Sequence, residues 1–329
     1  MKIISLVTRD RISSLADDLL IHILSFLPTH FAVRTSVLSK IWRHLWTFME
    51  NLHFDDRLWR YRITSPLGNS ATNDPTIDHT FDSFVEQILY RNQNPLLNFR
   101  LHCSELHDFS RINGWIESAV ERKVREIDLF LTERFSGQLT SRIYTCETLV
   151  VLRMRMPTNC NLHIPTNAAA FPSLKILHVS VAVTSLMEEL FSKCPVLEEL
   201  QIDGITRLPE NVFRIHVPTL KRIAIKIARR NIFTYFHCFH VMAPALECID
   251  INDNTISIYT LNQHSLIKAK VDVGGGAAEF LSDANHPAIQ ALGIRALCIL
   301  HVVDSAKFLS LSASTICASF LGVFFVLGK

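Results

Sequence analysis

Six segments of this chain repeat one apolar pattern at nearly constant spacing, and this repetition constrains the fold more than any other feature. Each segment begins at an apolar anchor and carries further apolar residues three and five positions later. The anchors are Val124, Leu149, Leu174, Leu197, Leu220 and Leu246. Successive anchors are 25, 25, 23, 23 and 26 residues apart. Such a period predicts a stack of similar units rather than one globular core.

The apolar offsets within each segment predict a short strand with one inward face. Offsets three and five are alternate strand residues, so both point to one side and the residue between them points to the other. In SLKILHVSV, Leu177 and Val179 are therefore expected inside and His178 outside. The pattern L-x-x-L-x-L at this period is the leucine-rich-repeat signature. LLNFRLHC fits one unit earlier, and SLIKAKVDV, around Leu266, fits more weakly one unit later.

Residues 10–46 have the pattern of three short amphipathic helices. Leu15, Leu19, Ile23 and Leu27 recur every four residues before Pro28 ends the run. Candidate N-cap residues for the first two helices are Ser14 and Thr29. The apolar stripe of the third helix comprises Val37, Leu38, Ile41, Trp42, Leu45 and Trp46. So small a segment cannot hide this much apolar surface within itself, so it docks on the rest of the chain or presents a face to a partner.

These residues resemble the F-box of plant F-box proteins with leucine-rich repeats. The resembling pieces are DRISSLADDLL, HILSFLPT, AVRTSVLSK and a W-R-x-L-W ending. The phrases FPSLKILHV, CPVLEELQI and VPTLKRIAI, together with FDSFVEQILYRN and INGWIESAVERKVREIDL, extend the resemblance to about residue 315. The resemblance implies an α/β fold: a three-helix F-box followed by a leucine-rich-repeat solenoid, with a curved parallel sheet and helices or irregular segments on its convex side.

The same resemblance implies that the F-box binds a Skp-family adaptor and, through it, a cullin. The residues that would contact the adaptor are Leu15, Ala16, Leu19, Val37, Leu38, Trp42 and Leu45. The core of a small helical bundle is an alternative for Leu15, Leu19, Ile23, Leu38, Trp42, Leu45 and Trp46, and the sequence alone does not separate contact from core. Two positions depart from the family pattern, since Ala16 stands where proline is usual and Ile41 where arginine is usual.

Composition excludes several function classes. The 329 residues include 33 Lys and Arg against 31 Asp and Glu, a net charge of +2 that provides no broad electrostatic surface for nucleic acid. The eight cysteines are scattered without a Cys-x-x-Cys pair, as in proteins of a reducing compartment with buried free thiols. The apolar run before Arg9 is too short for a secretory signal. We therefore expect the protein in the cytoplasm, the nucleus or both.

No motif in the sequence points to catalysis, a metal or a cofactor. His237, Cys238 and His240 lie close together, but no second ligand pair follows at a zinc-motif spacing. The glycines at 274–276 lack the Lys-Ser or Lys-Thr of a phosphate loop. We expect a non-catalytic protein that needs no cofactor. Candidate target-binding residues on the outward face of the repeats are His178, Gln201, Arg222 and Asp250.

The C-terminal part departs from the repeat pattern. Residues 308–328 are 21 uncharged residues, long enough for a membrane helix. Five hydroxyl side chains and the alternating FLSLS instead favour a buried repeat strand followed by an apolar tail, so a membrane anchor is not expected. Residues 320–327 are an aggregation hazard if exposed. Members of the family commonly continue into a further C-terminal module, the FBD module, which we expect to be missing here.

The predicted organisation is an N-terminal tail at residues 1–8, the F-box at 9–50, and a linker with a connecting helix at 51–94. Leucine-rich repeats follow at 95–275, and a terminal partial repeat with the apolar tail at 276–329. The predicted function is the substrate-recognition subunit of an SCF-type cullin ubiquitin ligase, whose target protein the sequence does not identify. Two alternatives remain: a leucine-rich-repeat scaffold outside any ligase, and a truncated product of an F-box gene.

Overall fold

A computed structural model describes residues 11–59, 80–105, 107–132, 136–157, 160–161, 171–180, 185–204, 212–227, 238–253, 257–262, 266–273 and 287–327. The chain divides into two compact units, residues 1–135 and 136–329. Within the predicted linker at residues 51–94, residues 60–79 lie outside the described residues, as do the glycines at 274–276.

The first unit begins with three short helices, α1 (Asp17–Leu24), α2 (Thr29–Arg34) and α3 (Trp42–Leu45). Turns of 3-10 helix lie at Thr35–Val37 and Trp46–Phe48. The three predicted helices are therefore present. Their shared core consists of Leu20, Leu24, Ala32, Trp42, Leu45 and Trp46, none more than 5% exposed.

The two predicted N-caps are wrong. Helix α1 begins after Ala16, and the Ser14 hydroxyl donates to the carbonyl of Arg11 at 2.7 Å. Thr29 is fully buried, and its hydroxyl accepts a hydrogen bond from the backbone N–H of His53 at 2.7 Å. The Thr29 hydroxyl therefore satisfies a backbone donor of the next strand rather than the N-terminus of α2. This bond joins the helices to the strand that follows.

Three parallel strands complete the first unit: β1 (Asn51–Asp55), β2 (Asn98–Cys103) and β3 (Glu126–Leu131). Helices α4 (Phe81–Arg91) and α5 (Phe109–Glu121) connect them. The side chains of Thr80 and Asp108 cap α4 and α5 by accepting from Ser83 N–H and Ser110 N–H. Residues 51–94, expected to be linker and connecting helix, thus include strand β1 as well as α4.

Seven parallel strands in sequence order form the main sheet of the second unit. They are β5 (Val151–Arg155), β7 (Ile176–Ser180), β8 (Glu199–Gly204), β10 (Arg222–Ile227), β12 (Cys248–Asp253), β14 (Lys268–Val273) and β15 (Phe308–Leu311). All six predicted anchors are buried, none more than 2% exposed. The residues three and five positions after each anchor are also buried, as Leu177 and Val179 are in β7. The α/β fold class with repeated parallel strands is confirmed.

Smaller elements lie between the strands of the main sheet. They are β4 (Gly137–Gln138), β6 (Cys160–Asn161), α6 (Ser185–Ser192), β9 (Val212–His216), β11 (Cys238–Met242) and β13 (Ile258–Leu261). Strands β9, β11 and β13 form a second parallel sheet. Phe213, Phe239 and Tyr259 lie side by side in it, with ring centroids 5.8 and 5.2 Å apart. Each repeat contributes one aromatic ring to this buried column, as expected where similar repeats stack on one another.

The C-terminal residues form α7 (Pro287–Val302), strand β15 and α8 (Ala313–Leu327). The predicted strand is present, but the prediction that it is buried is wrong: Phe308 is 68% and Leu309 47% exposed. Among the described strands β15 pairs only with β14, which leaves its other edge uncovered. The expected tail is a helix that docks through Thr315, whose hydroxyl accepts from Val273 N–H at 2.8 Å. None of the described helices is both long and apolar enough to cross a membrane.

Candidate functional site: two interaction surfaces

The helices of the first unit carry an apolar surface on the side opposite their core. Leu19 and Ile23 on α1, and Leu15 just before it, are spaced four residues apart and are 52%, 42% and 39% exposed. Val37 and Leu38, in and after the first 3-10 turn, are 87% and 66% exposed. Further exposed apolar side chains of this segment are Ile12, Phe26, Leu27, Phe31, Ile41 and Phe48. So many exposed apolar groups within about forty residues mark an interaction surface.

The structure separates the seven predicted adaptor-contacting residues into two groups. Leu15, Ala16, Leu19, Val37 and Leu38 are exposed. Trp42 and Leu45 are only 5% exposed, because they pack beneath α1 in the core of the helices. The Trp42 indole N–H donates to the Ser13 hydroxyl at 3.0 Å. Trp42 and Leu45 thus lie in the core beneath the surface, and their contact with an adaptor stays a prediction.

Ile41, which replaces the usual arginine, is 45% exposed and adjoins this apolar segment. Ala16 is the N-cap of α1, with φ −64° and ψ 148°. That backbone conformation is one that proline also adopts. Neither departure from the family pattern therefore disturbs the helices, and Ile41 enlarges the apolar surface.

The second surface is the outward face of the main sheet in the second unit. The strand register aligns one outward residue per strand in what we call the central row. Its members are Arg153, His178, Gln201, Ala224, Asp250, Lys270 and Ser310. The adjacent row contains Glu199, Arg222, Cys248 and Lys268. The four residues predicted for target binding thus share one face, three in the central row and Arg222 beside it.

Ion pairs between neighbouring strands hold several side chains of this face in place. Glu199 accepts hydrogen bonds from His178 Nε2 at 2.8 Å and from Arg222 Nε at 2.7 Å. Burial raises the pKa of Glu199, but these two bonds outweigh it and leave the pKa below its ordinary value. Lys270 Nζ lies 3.3 Å from Asp250 Oδ2. Sequence reasoning missed Glu199, Lys268 and Lys270. They lie two or four residues after the apolar positions Leu197 and Leu266, where the repeat pattern predicts outward side chains.

A buried polar cluster lies in the first unit, at the end of β1. His107 Nδ1 lies 2.6 Å from Asp82 Oδ1, and its Nε2 lies 3.2 Å from Asp56 Oδ2. Asp56 also accepts from the Ser104 N–H, the Ser104 hydroxyl and the Glu105 N–H at 2.6–2.7 Å. The carboxylate of Asp56 stands between the hydroxyl and the imidazole, so His107 is not placed to activate Ser104 as a nucleophile. We interpret the cluster as structural.

The charges of this cluster shift its pKa values in opposite directions. Burial lowers the pKa of His107, but the hydrogen bond to Asp56 and the charges of both carboxylates outweigh it and raise the pKa above its ordinary value. Burial raises the pKa of Asp56, but the bonds from His107, Glu105 and Ser104 outweigh it and lower the pKa. The ionised pair is therefore favoured in the folded protein.

The described residues offer no metal site, since no group of three or more His, Cys, Asp or Glu is placed to hold an ion. Of the predicted cluster, His240 on β11 bonds to the Thr260 hydroxyl, and His237 lies outside the described residues. Of the thiols, Cys103, Cys146 and Cys194 are buried as expected, but Cys298 and Cys317 are exposed. Burial raises the pKa of Cys194 to about 12, so that thiol stays protonated.

Short helices with an exposed apolar face, followed by repeated parallel strands with a polar face, define a protein with a small helical module and a repeat array. Residues 12–54 match the F-box domain family. Residues 112–278 match the family described as FBD-associated F-box protein At5g56370, LRR repeats. The chain belongs to the plant F-box/leucine-rich-repeat family.

Several curated relatives come from Arabidopsis thaliana. F-box/LRR-repeat protein At4g14103 is 34% identical over 275 residues, which cover 81% of this chain and 68% of that protein. F-box/LRR-repeat protein At3g59200 is 34% identical over 80% of this chain and 50% of its own length. F-box/FBD/LRR-repeat protein At4g00160 is 34% identical over 80% of this chain and 56% of its own length. This chain therefore spans between half and about two thirds of these relatives. No solved structure matches it.

Proposed function

We propose that this protein is the substrate-recognition subunit of an SCF-type cullin ubiquitin ligase. Its F-box would bind a Skp-family adaptor, the adaptor would bind a cullin, and the leucine-rich repeats would bind the target protein. The observation that carries the proposal is the exposed apolar surface around Leu15, Leu19, Val37 and Leu38, which lies over a complete core of its own. F-box domains generally bind Skp-family adaptors, and this surface provides the apolar area that such binding needs.

In this proposal the chain binds and positions the target protein, and other subunits of the ligase carry out ubiquitin transfer. A target held on the repeats is kept close to a ubiquitin-conjugating enzyme, which raises the effective concentration of its lysines. The free thiols of the described cysteines suit action in the cytoplasm or the nucleus. His178, Gln201, Arg222 and Asp250 are proposed as part of the target-binding face, since they share one side of the sheet.

The first test is calorimetric titration of a Skp-family adaptor into the full chain and into the Leu19→Asp variant. Leu19 is 52% exposed, so aspartate at this position leaves the fold intact but places an unpaired carboxylate in an apolar interface. Burial of such a charge costs about 3–5 kcal/mol, a loss of more than about 100-fold in affinity.

The matched control is Tyr90→Asp, which puts the same charge at an 81% exposed aromatic position on α4. This variant is expected to bind the adaptor like the unmodified chain. Equal affinity of Leu19→Asp and the unmodified chain, with both shown to be helical by circular dichroism, would contradict the assignment of this surface. If the unmodified chain binds no adaptor, the protein is a repeat scaffold rather than a ligase subunit.

A further inference from the structure

A depression of about 320 Å³ lies in the polar face of the second unit. Its lining includes Ala224, the smallest side chain in the central row. Cys248, on the next strand, is also short. Longer side chains of strands β8, β10, β12 and β14 surround these two positions, among them Arg222, Lys268 and Lys270. The depression therefore results from two short residues placed among long ones by the strand register.

The charged groups around the depression are unequal. Three cations, Arg222, Lys268 and Lys270, stand against two carboxylates, Glu199 and Asp250. Both carboxylates already have partners within the chain. Glu199 is bonded to His178 and Arg222, and Asp250 lies 3.3 Å from Lys270. Among the residues that the structure describes, the ammonium group of Lys268 has no hydrogen-bond or ion-pair partner.

The spacing of the cations fits one anionic group. Arg222 and Lys268 occupy the same row on strands β10 and β14, two strand spacings apart. That separation is about 10 Å between backbones. Arg222 bonds to Glu199 on β8 through its Nε, and Lys268 lies on β14, on the far side of Cys248. The residue between them is Cys248, which leaves the space open. A cationic ligand, in contrast, would have to displace Arg222 or Lys270 from its carboxylate.

We propose that this depression binds an acidic side chain of the target protein, either a carboxylate or a phosphorylated residue, held by Lys268 and Arg222 above Cys248 and Ala224. The inference rests on the proposed target-binding role of the repeats and adds the chemical class of the target segment. Both sources present oxygen acceptors to cations, and guanidinium and ammonium groups bind both. The experiment separates them.

The test measures binding of the full chain to an array of short peptides with identical flanking residues. The central residue is Asp or Glu in one set, phosphoserine in a second, and Asn, Gln or serine in a third. The full chain is expected to bind acidic or phosphorylated peptides at least about tenfold better than the neutral set. Lys268→Glu should remove this preference, because it replaces attraction with like-charge repulsion. Ala224→Trp should weaken binding of all anionic peptides, because the indole fills the depression.

The matched control is Lys226→Glu, the same charge change on the same face of β10 but outside the depression. It should retain the preference for anionic peptides. Binding of only the carboxylate or only the phosphoserine set supports the inference and identifies the source. Equal binding of neutral peptides, binding of none, or equal loss in Lys226→Glu and Lys268→Glu overturns it.

Adaptor titration of the same variants separates this inference from the proposed function. If the anion preference is absent while the adaptor still binds, the inference fails alone. If the unmodified chain binds no adaptor but keeps the preference that Lys268→Glu removes, the ligase assignment fails and the site stands. Thermal unfolding of each variant shows whether it is folded. If Ala224→Trp is unfolded, Lys268→Glu provides the decisive result, because its substitution lies at an exposed strand position.

Discussion

His107 is held between two carboxylates in a site that leaves its side chain only 10% exposed. Because its pKa is raised in the folded state, its contribution to stability is fully present below the unfolded pKa of about 6.5. That contribution is lost as the pH rises through the folded pKa. The lowered pKa of Asp56 acts in the opposite direction, so its contribution is present above about pH 4 and is lost as the pH falls.

The expected result is maximal stability of this cluster between about pH 4 and 6.5, with a decline at alkaline pH. Urea unfolding at pH 6 and pH 8.5 measures the decline. His107→Gln should flatten it and cost about 1–3 kcal/mol at the lower pH, because Asp56 and Asp82 lose a buried partner. His301→Gln is the control, since His301 has an 88% exposed side chain. A variant at His107 that keeps the full pH dependence would contradict the assignment.

Residue pairs of this kind could not be predicted from the sequence. Asp56 and His107 are 51 residues apart, and no periodicity connects them. Their contact depends on how β1, β2 and α4 are packed together. The repeat anchors were predictable for the opposite reason, because each of them is determined by neighbours within five residues.

Helix α1 shows what an amphipathic pattern does and does not reveal. The four-residue spacing of Leu15, Leu19 and Ile23 predicted a stripe, and the stripe is present. It faces outward, while the adjacent stripe of Leu20 and Leu24 forms the core. Both sides of the helix are apolar, so periodicity alone could not assign the core. Trp42 and Leu45 belong to a similarly broad apolar stripe, in which the sequence does not separate core from contact residues.

The start of α1 provides a prediction at this scale. Ala16 has φ −64°, and no hydrogen bond of its backbone N–H is present among the described residues. Ala16→Pro should therefore be accepted without strain and stabilise the protein by about 0.4–1 kcal/mol, chiefly by restricting the unfolded chain. Thermal unfolding measures this change.

The control is Ala32→Pro. Ala32 lies inside α2 and is fully buried, so proline at this position should be strongly destabilising. A lower melting temperature for Ala16→Pro would show that the start of α1 is not extended.

At the scale of the whole molecule, the C-terminal elements leave apolar surface in contact with water. Ile316, Phe320 and Val323 lie on one side of α8 and are 42%, 72% and 41% exposed. Phe308 is exposed on the open edge of β15. Open strand edges and apolar patches both favour association between copies. The sequence identified this hazard but not the helix that presents it, because an apolar run alone does not distinguish helix from strand.

We therefore expect the full chain to self-associate as its concentration rises, and Phe320→Lys to reduce this association. Sedimentation velocity over a concentration series measures the effect. Cys298→Lys adds the same charge at an exposed position of α7 and should leave association unchanged. Equal behaviour of the two variants would show that net charge, rather than the apolar side of α8, controls association.

The strand register of the second unit has a consequence for how binding preference can change over evolutionary time. Each strand contributes one side chain to each outward row, and its inward residues alone maintain packing. A mutation at a position such as Ala224 or Lys268 therefore alters what one strand offers to a partner without disturbing the layers beneath. Duplicated genes with this architecture can acquire new partners through a few surface mutations, while the fold of every copy remains the same.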